Sequence, residues 1–153
     1  MRGIDAINPI DAGGWLHTAD LGRLDAEGYL YIVGRSRDII IRGGENVAPG
    51  HVEDRLLQHP AVRDVAVVAL PHPTLGEEVG AAVVVRSDDE IDASDLRAFA
   101  AATLAHFEVP SRWWITTEPL PMNGTGKVVK RELVERWIDT PAFRRKETRH
   151  DSP

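Results

Sequence analysis

Two valine-rich runs, residues 62–70 and 79–86, constrain this chain more than any other feature of its 153 residues. Their centres, 65–70 and 80–85, are almost wholly apolar. A strand without apolar–polar alternation has both faces covered, so both runs belong in the middle of a packed domain. Pro71-His72-Pro73-Thr74-Leu75-Gly76 between them predicts a turn or exposed loop. Neither run approaches the ~18 apolar residues needed to span a bilayer.

The rest of the chain supplies elements to surround those strands. Residues 29–33 (Tyr-Leu-Tyr-Ile-Val) form a short β-rich run behind a turn at Asp25-Ala26-Glu27-Gly28. Gly34-Arg35-Ser36-Arg37 interrupts it, and 38–42 follows as a second strand. Gly43-Gly44-Glu45-Asn46 then makes a loop that needs glycine to pass through positive φ. Pro49 suits the first turn of a helix whose apolar face is Val52, Leu56 and Leu57, closed by His59-Pro60. A clearer helix starts at Ser94, capped by its hydroxyl, with Leu96, Phe99, Ala100, Thr103, Leu104 and Phe107 along one face until Pro110. Residues 112–116 read as a strand and 130–137 as a last helix, with Leu133, Val134 and Trp137 inward. The tail from 138 is polar and expected to be disordered. This order predicts an α+β fold: a small mixed sheet packed with about three helices, preceded by a short hairpin-like piece.

Composition narrows the function classes. The net charge of −6 argues against general nucleic-acid binding, which needs a basic face to neutralise phosphates. With no cysteine, disulfides, thiolate metal sites and a cysteine nucleophile are excluded. No apolar stretch follows Arg2, so no secretory signal is read and a cytoplasmic location is expected. The six histidines show no i, i+4 pair in a ligand-like context, and no metal site is expected on this chain. No Gly-x-Ser-x-Gly elbow supports a serine hydrolase. Trp113-Trp114 offers a stacking surface for a base, although one of the two is expected in the core.

Asn123-Gly124-Thr125-Gly126-Lys127 has the look of a phosphate-binding loop. A P-loop needs a glycine where Pro121 stands and a Ser or Thr where Val128 stands, so that reading fails. A lysine on a glycine-rich turn is either a plain surface residue or a positive charge that reaches into a neighbouring cleft.

Four segments in order resemble one family, the AMP-forming acyl-CoA synthetases of the adenylate-forming superfamily. Gly14-Trp15-Leu16-His17-Thr18-Ala19-Asp20-Leu21-Gly22 is similar to its Gly-Trp-x-x-Thr-Gly-Asp-x-Gly segment. The stretch 29–35 resembles its Gly-Arg strand, and 38–47 resembles its Ile-Ser-Gly-Gly-Glu-Asn-Val stretch. Lys127 falls in its final Gly-Lys motif. The resemblance covers residues 1–137 and favours the fatty-acid–CoA ligases.

The resemblance implies a chain that is mainly the mobile C-terminal lid of such an enzyme. Residues 1–36 would be the remnant of the end of the N-terminal adenylation domain, 37–137 the lid and 138–153 a tail. The complete enzyme activates a carboxylic acid with ATP and Mg²⁺, forming acyl-AMP and pyrophosphate, and passes the acyl group to CoA. Lys127 would be catalytic, stabilising charge beside the α-phosphate. Asp20 would bind the ribose hydroxyls and Arg35 would approach ribose and phosphates. Gly43 and Gly44 would border the pantetheine arm of CoA, and Arg37 would be the hinge. Ala19 stands where the family has glycine, and Arg37 where it more often has Asp or Lys. The ATP- and acyl-binding half has no counterpart here, so the chain alone is expected to be inactive, with neither ATP, CoA nor metal held by itself. A stand-alone lid that acts on a separate adenylation protein is the alternative, suggested by the initial Met1. Residues 15–33, lacking their usual cover, are expected to pair with another chain (a homo-oligomer included), fold onto the lid or disorder.

Overall fold

In the computed structural model, residues 10–36, 38–86 and 91–139 are described. The chain opens with two strands, β1 (Asp20–Leu24) and β2 (Leu30–Arg35), paired antiparallel as a separate two-stranded sheet. Strand β2 runs through Gly34 and Arg35, the residues read as its interruption, because Gly34 and Arg35 pair with Leu21 and Asp20. The turn falls one residue later, at Ser36, whose N–H donates to Ala19 O at 2.8 Å.

Strands β3 (Ile40–Arg42) and β4 (Glu45–Val47) form a tight hairpin. Arg42 pairs with Glu45, so Gly43 and Gly44 alone make the connection, at φ 60° and 93°. Two consecutive positive φ values are the signature of the primed turn that matches strand twist. Helix α1 (Pro49–Leu57) follows, with Pro49 in its first turn and no side-chain cap. Pro49, Val52 and Leu56 are its buried face.

The two valine-rich runs become β5 (Val62–His72) and β6 (Gly76–Val85), a long antiparallel hairpin turned at 73–75. Helix α2 (Ala93–Ala101) is capped by Asp92, not by Ser94. The Asp92 carboxylate accepts the N–H of Ser94 at 2.7 Å and of Asp95 at 2.9 Å, and Asp95 reaches back to Asp92 N–H. Aspartate outcompetes serine here because a charged acceptor also meets the positive end of the helix. The helix stops at Ala101, earlier than the apolar spacing suggested. Leu104 and Phe107 still reach the core, from the turns that follow. Strand β7 (Arg112–Thr116) then runs parallel to β6, and helix α3 (Lys130–Asp139) ends the described chain. Ile138 and Asp139 are thus helical rather than part of the tail. Residues 140–153 lie outside the described residues.

The main sheet has the order β4-β3-β6-β5, with β7 also paired to β6. Both faces are covered. Val65, Val67, Val79, Ala81, Val83 and Ile115 point toward α1 and α2. Ala66, Val68, Leu70, Ala82, Val84 and Trp114 point toward α3 through Leu133 and Trp137. Alternate residues of each strand therefore serve opposite layers, and continuous valine satisfies both at once. Gly80 shows how tight the second layer is, since a Cβ there would lie 2.6 Å from Leu70 Cδ1 and 3.2 Å from Trp137. Trp113 and Trp114 both pack: Trp113 faces the first layer, and Trp114 meets Trp137 edge-on at 5.9 Å. Neither is a free stacking surface. This is the α+β fold that the sequence predicts.

Candidate functional site

Lys127 sits at the end of a loop closed by Asn123. The Asn123 side-chain oxygen accepts from Thr125 N–H at 3.0 Å, Thr125 Oγ1 at 2.7 Å and Lys127 N–H at 2.9 Å. Backbone bonds from Asn123 N–H to Lys127 O and from Gly126 N–H to Asn123 O complete it, with Gly126 at φ 78°. Met122 and Val128 bridge across its base. The same construction occurs twice more. In each of the other two, an aspartate carboxylate, Asp11 or Asp25, accepts the N–H groups two and four residues on. A glycine at φ 82° or 88°, Gly14 or Gly28, holds the position three residues on. This is the turn with a glycine bulge that connects antiparallel strands through a three-residue loop. The loop spacing Asx-x-x-Gly is present in the sequence at 11–14, 25–28 and 123–126, and the last two were read there simply as turns.

The loop is exposed, and among the described residues the Lys127 ammonium has no hydrogen-bond or ion-pair partner. Lys130, one turn further on, contrasts with it. Its ammonium donates to Glu53 Oε1 at 2.9 Å, and the same oxygen accepts Val67 N–H at 2.8 Å. That bridge ties α1, β5 and α3 together and fixes the base of the Lys127 loop, while Lys127 itself stays available.

Asp20 and Arg35 are brought together. They are register partners in the first hairpin, and Arg35 Nε donates to Asp20 Oδ1 at 3.0 Å. The pair leaves Asp20 Oδ2 without a partner among the described residues. At this exposure the ion pair contributes about 0–1 kcal/mol, so its value is orientation rather than stability. Both residues line a cleft of about 840 Å³ between the hairpin and α1. Its other wall carries Asp38, His51, Glu53, Asp54 and Lys130, which the sequence reading did not single out. The spacing Lys127–Lys130 was the available hint, since it places a second cation at the start of α3.

Gly43 and Gly44 lie away from that cleft, at the tip of the β3–β4 hairpin. A Cβ on Gly43 would press on Leu75 at 3.2 Å, whereas nothing lies within 4 Å of one on Gly44. The hairpin is held by Gly43 N–H to Leu75 O at 2.9 Å and by Ile41 N–H to Glu77 Oε2 at 2.7 Å. Lys127 does not line the cleft either. The candidate site residues thus occupy three places: Asp20 with Arg35, the glycine hairpin, and the lysine loop. Arg37 lies outside the described residues. Among the described residues no group of three or more His, Asp or Glu side chains converges as a metal site. Among the described residues no helix is long and apolar enough to cross a membrane.

The profile of the AMP-binding enzyme C-terminal domain matches residues 51–127. The sulfoacetate–CoA ligase of Cupriavidus necator is 42% identical over 121 residues, 79% of this chain and 24% of the relative. The long-chain-fatty-acid–CoA ligase of Bacillus subtilis is 41% identical over 122 residues, 80% of this chain and 22% of the relative. Among solved structures, the ATP-bound form of MatB from Rhodopseudomonas palustris superposes with a TM-score of 0.78 at 35% identity. That match covers 86% of this chain and 26% of MatB. The chain spans about a quarter of the length of the relatives it matches.

Proposed function

This chain belongs to the family of AMP-binding enzyme C-terminal domains, and on that premise we propose that residues 37–137 are the lid of an acyl-CoA ligase. Residues up to 36 are then the last hairpin of its adenylation half. The complete enzyme couples a carboxylic acid to AMP at the expense of ATP, releases pyrophosphate, and transfers the acyl group to the CoA thiol. Fatty acids are the class that the motifs resemble most. Relatives named for sulfoacetate and for long-chain fatty acids match this chain about equally. That parity supports an acyl pocket lying in the other three quarters of the enzyme.

The observation that carries the reading is Lys127: an ammonium with no partner among the described residues, on a loop fixed at both ends. Carried against the α-phosphate as the carboxylate attacks, it would oppose the negative charge that develops there. A cation so placed supplies about 3–4 kcal/mol, or 10²–10³ in rate. Asp20 Oδ2 would accept from the ribose hydroxyls while Arg35 holds the other oxygen. Lys127 and the Asp20–Arg35 pair lie on opposite sides of position 37, so a turn of the lid there would bring Lys127 in or take it away. Removal of Lys127 would bring up the Gly43–Gly44 tip, where the absence of side chains lets backbone lie along a slender pantetheine chain. Mg²⁺ would enter with ATP, in the adenylation half.

ATP–pyrophosphate exchange tests the proposal. The 153-residue chain alone should show none. Joined to the adenylation half of a relative in place of that relative's lid, it should restore exchange, and Lys127→Ala should lower the restored rate by about 10²–10³. Exchange by the isolated chain, or a Lys127→Ala chimera as fast as its parent, would overturn it. The alternative, a lid acting on a separate adenylation protein, rests on the exposed apolar hairpin. It predicts rescue when the two pieces are mixed rather than fused.

A further inference from the structure

Lys127 is carried by one of three loops of the same construction, and that loop differs from the other two in the residue that closes it. Asp11 and Asp25 close theirs with a carboxylate; Asn123 closes the lysine loop with an amide. Asn123 takes three donors on its oxygen, one of them the N–H of Lys127 itself. The backbone from which the lysine side chain springs is therefore set by that oxygen. A carboxylate would accept the same donors, and elsewhere in this chain does so while being held below the ordinary carboxylate range by those N–H groups. Geometry and hydrogen bonding alone would accept either residue.

Charge separates them. A loop that carries a lysine toward a phosphate gains from every positive charge it brings and loses from every negative one. A carboxylate four residues before Lys127, in a loop that folds the two together, would lower the field that the ammonium provides and repel the phosphate oxygens. An amide orients without that cost. We propose that Asn123 is a positioning residue for Lys127, and that its neutrality is required for acyl-adenylate formation. This rests on the reading of Lys127 as the catalytic group.

The test uses the chimera described above with Asn123→Ala, Asn123→Ser and Asn123→Asp, and assays the two half-reactions separately. Amide hydrogen exchange at Thr125 and Lys127 is followed in the 153-residue chain. Asn123→Ala is expected to speed exchange at both amides and to slow acyl-adenylate formation about 10- to 100-fold. Transfer from supplied acyl-adenylate to CoA should be unchanged, because Lys127 takes no part in it. Asn123→Ser, whose hydroxyl closes the same turn more weakly, should recover most of the rate. Asn123→Asp should keep the amide protection and still lose about tenfold in acyl-adenylate formation.

Equal losses in both half-reactions would assign Asn123 to folding alone and overturn the proposal. So would an Asn123→Ala chimera of parental rate. A fully active Asn123→Asp chimera would overturn the requirement for neutrality. If Lys127→Ala is itself harmless, the underlying reading falls and the proposal with it; if Lys127→Ala is damaging while all three Asn123 variants are silent, the proposal alone falls.

Discussion

Ala19 occupies the left-handed region, at φ 60°, and is the one described non-glycine residue to do so. The position is imposed from outside: Ala19 O accepts both the N–H of Ser36 at 2.8 Å and its hydroxyl at 3.2 Å, while Asp20 is drawn to Arg35. A Cβ in this conformation crowds the following carbonyl and costs about 1 kcal/mol. Ala19→Gly is therefore expected to stabilise the first hairpin by up to about 0.5 kcal/mol, because the entropy glycine adds to the unfolded chain offsets part of the relieved strain. Denaturant unfolding followed at Trp15 measures this; a lower midpoint for the glycine variant would refute it. The alanine was visible in the sequence as a departure from the family pattern. Its strain could be expected there, but the partners that enforce it, Arg35 and Ser36, lie at the far end of the hairpin, fifteen and seventeen residues from the groups they bind.

At the scale of elements, turns rather than strands govern the outcome. The two aspartate loops hold their carboxylates below the ordinary value. For Asp25 the main cause is the N–H of Tyr29. For Asp11 it is the N–H of Trp15, followed by the His17 ring. A carboxylate depressed in the folded state stabilises its loop fully above the unfolded value near 3.8, and that contribution fades as pH falls below it. The Asn123 loop has no such dependence. Acid titration by NMR should therefore shift the Tyr29 amide with a midpoint below 3.8 while Thr125 and Lys127 stay still. A Tyr29 midpoint at or above that value would contradict the hydrogen-bond account. The elements themselves were largely legible. Apolar spacing located α1, α3 and the β5–β6 hairpin because burial and periodicity coincide in them. It overran α2, since Leu104 and Phe107 keep the helical spacing after the helix has ended. It missed β1 and β4, five- and three-residue strands with exposed residues, whose pairing partners alone make them strands.

For the whole molecule, the first hairpin is the unfinished part. The register puts Leu24, Leu30 and Ile32 on one face, and they are 66%, 63% and 62% exposed. Trp15, in the preceding turn, is 76% exposed as well. In the described hairpin this face is exposed rather than buried on the lid, and a partner surface is the expectation to test. The isolated chain should then associate as its concentration rises, and Leu24→Ser with Leu30→Ser should abolish this. Sedimentation velocity decides; a wild-type chain that stays monomeric at high concentration would remove the argument that this face awaits a cover.

Lys127, Asp20, Arg35 and the glycine pair could all be named as candidates from the sequence, because the resemblance rests on local motifs and their order. So could the α+β class, because unbroken valine demands cover on both faces. What the tertiary structure decided is who meets whom. Asp20 and Arg35 meet through strand register; Lys130 is consumed by Glu53 while Lys127 is spared; and Asn123, unremarkable in the sequence, sets the backbone of the lysine. Hydrogen-bond partners across fifteen or seventy-seven residues leave no periodicity along the chain, so only the folded arrangement reveals them.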